Sequence, residues 1–318
     1  MGRIDQALQR ASDGTDVGSA DTVVQPTTEG TDAFVSPWTF GGDVAAPGGP
    51  PALPSETPTS IGDTVLPGAD GRPAPRLGVF RGFDPEVLER LVISPNAAPN
   101  LTEQYRRMAA ALHHAQLVQG TKVLMVTSAM PGDGKSYTAT NLALTLSESY
   151  RRQVLLIDAD LRRPSLHEIF RVPNVSGLNE GLKASDDEPL SALKITETLT
   201  LLPAGRPEPD PMGGLSSPRM GRIIQEGAAR FDWVLIDTAP IGLLADANLL
   251  ATTVDGALLV VRANQTPYAE VAKALEALGR ERVFGVVLNG AEASPVSSYS
   301  RYASAVPGPP APTTPVAR

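Results

Sequence analysis

Among its 318 residues the chain has no cysteine, which excludes disulfides, thiolate metal sites and iron–sulfur clusters held by cysteine. Histidine is nearly as scarce: three are present, two of them adjacent at His113 and His114, so a histidine-built metal site is not expected. Positive charge is in deficit, with 27 Lys and Arg against 35 Asp and Glu, a formal net charge of -8. Proteins that grip nucleic acid through broad phosphate neutralisation carry the opposite balance, so no nucleic-acid partner is expected. No apolar run approaches the roughly 20 residues of a membrane-spanning helix. The N-terminus shows no apolar core of the signal-peptide kind, and the expected location is cytoplasmic.

What is present suffices for a sizeable core, since 42% of the residues are apolar and the chain is long enough for one large domain or two small ones. Residues 1–11 place Ile4, Ala7, Leu8 and Ala11 on one helical face, a short N-terminal helix of marginal stability alone. Residues 12–80 are rich in Pro, Gly, Ser and Thr without periodicity, the composition of a disordered linker that buries too little to offset its ordering entropy. A small aromatic cluster, Phe34, Trp38 and Phe40, interrupts it. Order is expected over 84–291, beginning with Asp84-Pro85 as the capped start of a short helix and continuing in a longer helix from Leu101 to Val118. The segment 292–318 is a Pro-rich tail, expected to be disordered, that carries Tyr299 and Tyr302.

Within 84–291 the apolar runs at Val123–Val126, Gln153–Asp158, Leu199–Leu202, Trp233–Ile236, Ala257–Val261 and Val283–Leu288 read as buried strands. Helical segments separate them, notably Met220–Arg230, Ala245–Val254 and Tyr268–Leu278. This alternation predicts an α/β fold: a mainly parallel sheet with helices on both faces. Between the first run and the next helix stands S-A-M-P-G-D-G-K-S, Ser128 to Ser136, a strand–loop–helix P-loop. Gly132 and Gly134 let successive N–H groups turn toward one anion, and the helix starting near Lys135 adds the positive end of its dipole. Lys135 is placed to reach the β- and γ-phosphates, and the Ser136 hydroxyl to ligate Mg²⁺. Where a standard P-loop opens with Gly, this one has Ala129.

Ligands of open parallel sheets sit at the carboxyl ends of the strands. There the P-loop, Asp158 with Asp160, and Asp237 form one constellation: amides and Lys135 for phosphate charge, Ser136 and carboxylates for Mg²⁺, and a carboxylate beside a nucleophile. Any one of these carboxylates alone is as readily a loop cap; three in register with a P-loop favour the functional reading.

S-A-M-P-G-D-G-K-S, L-L-I-D-A-D-L-R-R-P-S-L-H from Leu155 to His167, and W-V-L-I-D-T-A-P from Trp233 to Pro240 together resemble the bacterial tyrosine kinases of exopolysaccharide and capsule synthesis. The stretches Leu202–Pro211 and Gly285–Asn289 are similar as well. The resemblance spans about Leu101 to Ala291 and implies a P-loop ATPase-type kinase fold that uses ATP and Mg²⁺ for protein-tyrosine autophosphorylation. It implies that Lys135, Asp158 and Asp160 are catalytic, Asp158 assisting the tyrosine hydroxyl. Ser136, Asp158, Asp160 and Asp237 would hold Mg²⁺, Asp237 through water. Pro131, Gly132, Asp133, Gly134, Lys135, Ser136 and Tyr137 would bind the nucleotide, with Asn289 near the adenine. Tyr299 and Tyr302 are the acceptor candidates, a thin cluster for this family. The implied partner is a membrane chain-length or export protein that acts as activator and brings the kinase to the inner face of the membrane.

A homo-oligomeric ring is implied by a family pattern Glu-x-x-Arg-x-x-Arg, of which Glu103 and Arg106 match while Ala109 stands in the last place and Arg107 is a possible substitute. Two alternatives remain open: an ATP-binding scaffold of the same system without kinase activity, and a partitioning-type P-loop ATPase, against which Met130 stands in place of the usual Lys. An iron–sulfur carrier is removed by the absence of cysteine.

Overall fold

The computed structural model describes residues 80–185, 188, 190–242 and 245–291. The N-terminal helix, the linker up to residue 79, Phe34, Trp38 and Phe40, and the tail with Tyr299 and Tyr302 lie outside the described residues.

The first elements are helices. Asp84 accepts the Glu86 N–H at 3.0 Å and caps α1, Pro85–Leu88, and α2 runs over Pro99–Gln119 to a left-handed Gly120, a common helix stop. Then β1, Val123–Ser128, leads through the P-loop into α3, Lys135–Leu144, which continues as a π-helical turn over Thr145–Ser149. Next come β2, Val154–Asp158, the short helices α4, Leu166–Ile169, and α5, Leu178–Lys183, then β3, Leu193–Lys194, and β4, Leu199–Leu202. After these stand α6, Met212–Leu215, α7, Pro218–Arg230, β5, Trp233–Asp237, α8, Ala245–Leu250, β6, Gly256–Arg262, α9, Tyr268–Leu278, and β7, Val283–Asn289.

Seven strands make one sheet in the order β3-β4-β2-β5-β1-β6-β7. All neighbours are parallel except β3 with β4. Because side chains alternate along a strand, the buried runs split cleanly between two cores. Val123, Met125, Leu155, Ile157, Val234 and Ile236 face one, with α7 and α9 over them. Leu124, Val126, Leu156, Trp233, Leu235 and Val260 face the other, beneath α2 and α3.

The expected α/β sheet is thus present, and Leu199–Leu202 and Tyr268–Leu278 carry the expected bounds. Differences lie where the signal is short. β3, α4, α5 and α6 span two to six residues, too few for a period to register. The helix after Ala245 ends at Leu250, four residues earlier than expected.

Ala109, where the assembly pattern calls for a second Arg, is fully buried against the second core. Its neighbour Arg107 forms an exposed pair with Glu103 of the same helix, at 3.4 Å.

Ahead of α1, Phe80 and Phe83 pack on the fully buried Phe170, with ring centroids 6.2 and 5.3 Å away. This aromatic contact docks the entry segment onto the body of the domain. Phe170→Ala is therefore expected to cost roughly 3–5 kcal/mol, read in urea unfolding as a lower midpoint at unchanged slope.

Candidate nucleotide and phosphoryl-transfer site

The P-loop forms because β1 ends at Ser128 and the chain must reverse before α3 begins at Lys135. Gly132 and Gly134 take φ of 86° and 95°, the left-handed region that glycine enters without penalty. A Cβ on Gly134 would stand 2.0 Å from the Asn289 Nδ2, so this position also needs glycine for space. Ala129 is not among the positive-φ residues, and its methyl is 1% exposed within the first core; the departure from the usual opening Gly therefore carries no backbone strain. Asp133 closes the loop on itself by accepting the Met130 N–H at 2.8 Å.

Three carboxylates converge at the strand ends. Asp158 and Asp237 are register partners on adjacent strands β2 and β5, and both are fully buried. Asp158 is held by three backbone N–H donors: Asp160 at 3.2 Å, Ser165 at 3.1 Å and Leu166 at 3.0 Å. Asp160 is 4% exposed and meets the Lys135 Nζ at 3.0 Å, while the same ammonium lies 3.9 Å from Asp237. Lys135 also donates to the Ser136 Oγ at 3.2 Å, which in turn accepts from the Ser165 hydroxyl at 2.8 Å.

Burial, and after it the Asp237 charge, push Asp158 up to about 8 from the ordinary carboxylate range. Burial likewise lifts Asp237 to about 6, with Lys135 acting against it. Burial opposes the charge on Lys135, yet Asp237 and Asp160 outweigh it and hold its pKa above the ordinary lysine value. Among the described residues neither buried Asp237 oxygen has a hydrogen bond of ordinary length, the Lys135 Nζ standing 3.9 Å away. A buried carboxylate short of donors, beside a serine hydroxyl and two further carboxylates, is a set of hard oxygen donors that fits a divalent cation such as Mg²⁺.

A cavity of about 1210 Å³ opens over this cluster. It is lined by Pro131, Gly132, Gly134, Lys135, Ser136, Tyr137, Asp160 and Asn289, so the structure brings most of the expected nucleotide residues together around one space. Asp133, Asp158 and Asp237 are not in the lining; they support it from beneath. Asn289 spends its Nδ2 on the Asp133 carbonyl at 2.8 Å and so braces the P-loop.

Several residues of the site carried no motif signal. Arg262, at the end of β6 and on the cavity wall, and Thr266, in the turn that follows, bond to the P-loop. Arg162, inside the D-A-D-L-R-R-P stretch, makes a bidentate pair with Asp246 of α8 at 2.6 and 3.2 Å and donates to the Pro209 carbonyl. The partners lie 47 to 133 residues apart in the chain, beyond any local spacing argument.

Because the folded state keeps protons on Asp158 and Asp237 that the unfolded chain releases near pH 4, stability of the protein without nucleotide or metal falls as pH rises from about 4 toward about 8. Asp158→Asn removes the titrating group at nearly constant shape. Its amide cannot accept all three backbone N–H bonds, so the variant starts from a penalty, but its stability relative to wild type is expected to rise from pH 5 to pH 8, a change in margin of roughly 1 kcal/mol or more. Thermal melts across that range check this, and a pH-independent margin would contradict it.

No family model matches the chain. Similar proteins do. Tyrosine-protein kinase YwqD of Bacillus subtilis is 37% identical over 219 residues, which cover 68% of this chain and 92% of that protein. The succinoglycan biosynthesis transport protein ExoP of Rhizobium meliloti is 33% identical over 226 residues, 68% of this chain but 28% of its own length. Among solved structures, the kinase domain of the Escherichia coli tyrosine kinase ETK superposes with a TM-score of 0.54 at 28% identity, covering 60% of this chain and 78% of that one. With this fold, this site and near-complete coverage of YwqD, the chain belongs to the bacterial tyrosine-protein kinase family of exopolysaccharide and capsule synthesis.

Proposed function

We propose that the chain is an ATP- and Mg²⁺-dependent protein-tyrosine autokinase that phosphorylates Tyr299 and Tyr302 and regulates polysaccharide polymerisation and export. The observation that carries this is the placement of Lys135 between Asp160 and Asp237 at the mouth of the P-loop. P-loop amides and Lys135 take up the charge of the β- and γ-phosphates. Ser136, Asp158, Asp160 and Asp237 are the residues that would hold Mg²⁺. When bound, that ion neutralises phosphate charge and steadies the leaving ADP.

Transfer breaks the bond between the γ-phosphorus and the β–γ bridging oxygen and forms one to the tyrosine oxygen. The hydroxyl proton passes to a carboxylate. The family resemblance assigns that proton to Asp158; a second reading assigns it to Asp160, because Asp160 lines the cavity and Asp158 does not. A membrane export protein is the proposed activator. Among the described residues no helix is long and apolar enough to cross a membrane, so membrane contact in this reading comes through that partner. Self-association is part of the proposal only in so far as one copy presents its tail to another.

With labelled ATP and Mg²⁺, Lys135→Ala is expected to lower phosphotyrosine formation at least about 100-fold. Tyr299→Phe with Tyr302→Phe should abolish incorporation while ATP hydrolysis continues. ATP hydrolysis by the wild type without phosphotyrosine, even with the cytoplasmic part of the export partner added, would replace the kinase reading with that of a nucleotide-dependent scaffold.

A further inference from the structure

The P-loop is fastened from outside by the turn that joins β6 to α9. Thr266 donates its hydroxyl to Asp133 Oδ1 at 2.6 Å and accepts the Arg262 backbone N–H at 3.0 Å. With its oxygen engaged by that N–H, the hydroxyl hydrogen is committed to the carboxylate. Asp133 is 3% exposed, and its second oxygen takes the Met130 N–H at 2.8 Å. Two further bonds reach the same loop from the same side: the Arg262 guanidinium to the Gly132 carbonyl at 3.0 Å, and the Asn289 carboxamide to the Asp133 carbonyl at 2.8 Å.

This anchorage falls on the one side chain between the two glycines of the loop. Asp133 stands between Gly132 and Gly134, both in left-handed conformations. Glycine permits those dihedrals without selecting them, so a free loop would spend most of its time with its amides turned elsewhere. A fixed Asp133 side chain restricts both neighbours at once.

The geometry points to Thr266 as a positioning residue: through the Asp133 carboxylate it holds the P-loop in its phosphate-accepting shape before nucleotide arrives. Loss of such pre-organisation is felt on binding, when the loop must be ordered by the ligand itself. Once phosphate occupies the loop, its own contacts with the amides restore the shape. Thr266 therefore sets nucleotide affinity and leaves the transfer step largely alone. The inference rests on the nucleotide-binding part of the proposed function, and its test separates the two.

Thr266→Val keeps the shape and removes the donor, leaving one buried carboxylate oxygen unmatched, while Thr266→Ser keeps the hydroxyl. Full-length protein titrated with a fluorescent ADP analogue and Mg²⁺ reads binding without any transfer. The valine variant is expected to bind roughly tenfold more weakly. Its KM for ATP should rise by a similar factor, with kcat at saturating ATP within about twofold of wild type. Serine should restore both values, and Thr266→Ala supplies the same readout should the valine chain fail to fold. Unchanged affinity in the valine variant, a fall in kcat at unchanged KM, or a serine variant that behaves like valine overturns the brace alone. A wild-type protein that does not bind the analogue overturns the nucleotide reading and the brace with it.

Discussion

The register of β2 against β5 puts Asp158 and Asp237 side by side at the end of two neighbouring strands, both out of contact with water. Adjacent strands lie about 4.8 Å apart, so two carboxylates in this position cannot both ionise cheaply. Asp160, two residues beyond Asp158, adds a third. One ammonium, Lys135, is set among them, and its charge does not balance the three. The site is thereby left short of positive charge, with Asp237 lacking a hydrogen bond of ordinary length among the described residues. A hard dication accompanying a polyphosphate would supply what is missing, and without it the protein keeps protons on groups that are ordinarily ionised. The instability is local, and under the proposed function it would drive the site's affinity for such a ligand; the same arrangement in a closed core would be a defect.

The rest of the fold holds this cluster in place. Asp158 is fixed by the N–H groups that open α4. The loop Leu202–Pro211, one of the stretches similar to the kinase family, serves here as a strap. Glu180 takes the Arg206 N–H and Asn174 the Gly205 N–H, while Glu208 donates its N–H to the Leu161 carbonyl. Arg162 ties that strap and Asp246 to the loop bearing Asp160. A string of residues that resembles a family motif can thus be needed for holding a carboxylate still without touching the substrate.

What could be read from the sequence follows the range of the forces involved. A strand buried on both faces is an uninterrupted apolar run, and six of the seven strands announced themselves in that way. β3 did not: Leu193 and Lys194 pair antiparallel with β4 across a short turn, and two residues carry no period. The P-loop and the three Asp residues were legible because one short segment supplies each, at a fixed place after a strand. Thr266, Arg262 and Asp246 were not, because their partners are brought to them only by the closing of the sheet. The buried Ala109 shows the same limit from the other side. The family pattern calls for an arginine at this place in the helix; packing puts the alanine in the core.

The burial of Ala109 bears on how a tail could be phosphorylated. β7 ends at Asn289, which touches the P-loop, and Gly290 lies on the rim of the cavity. Tyr299 follows ten residues after Asn289, a stretch that spans at most about 35 Å when extended. A tail rooted at the rim of its own active site has a high effective concentration there, set by linker length alone. Transfer between copies must compete with that, and it does so only if an interface holds the copies together or if the tail cannot turn back into its own cavity. The first condition would be weakened in this chain, where Glu103 and Arg106 match the assembly pattern but its last place is a core alanine. In the proposed autokinase the geometry of the tail's exit, more than the number of tyrosines it carries, would decide whether the acceptor is the chain's own or its neighbour's.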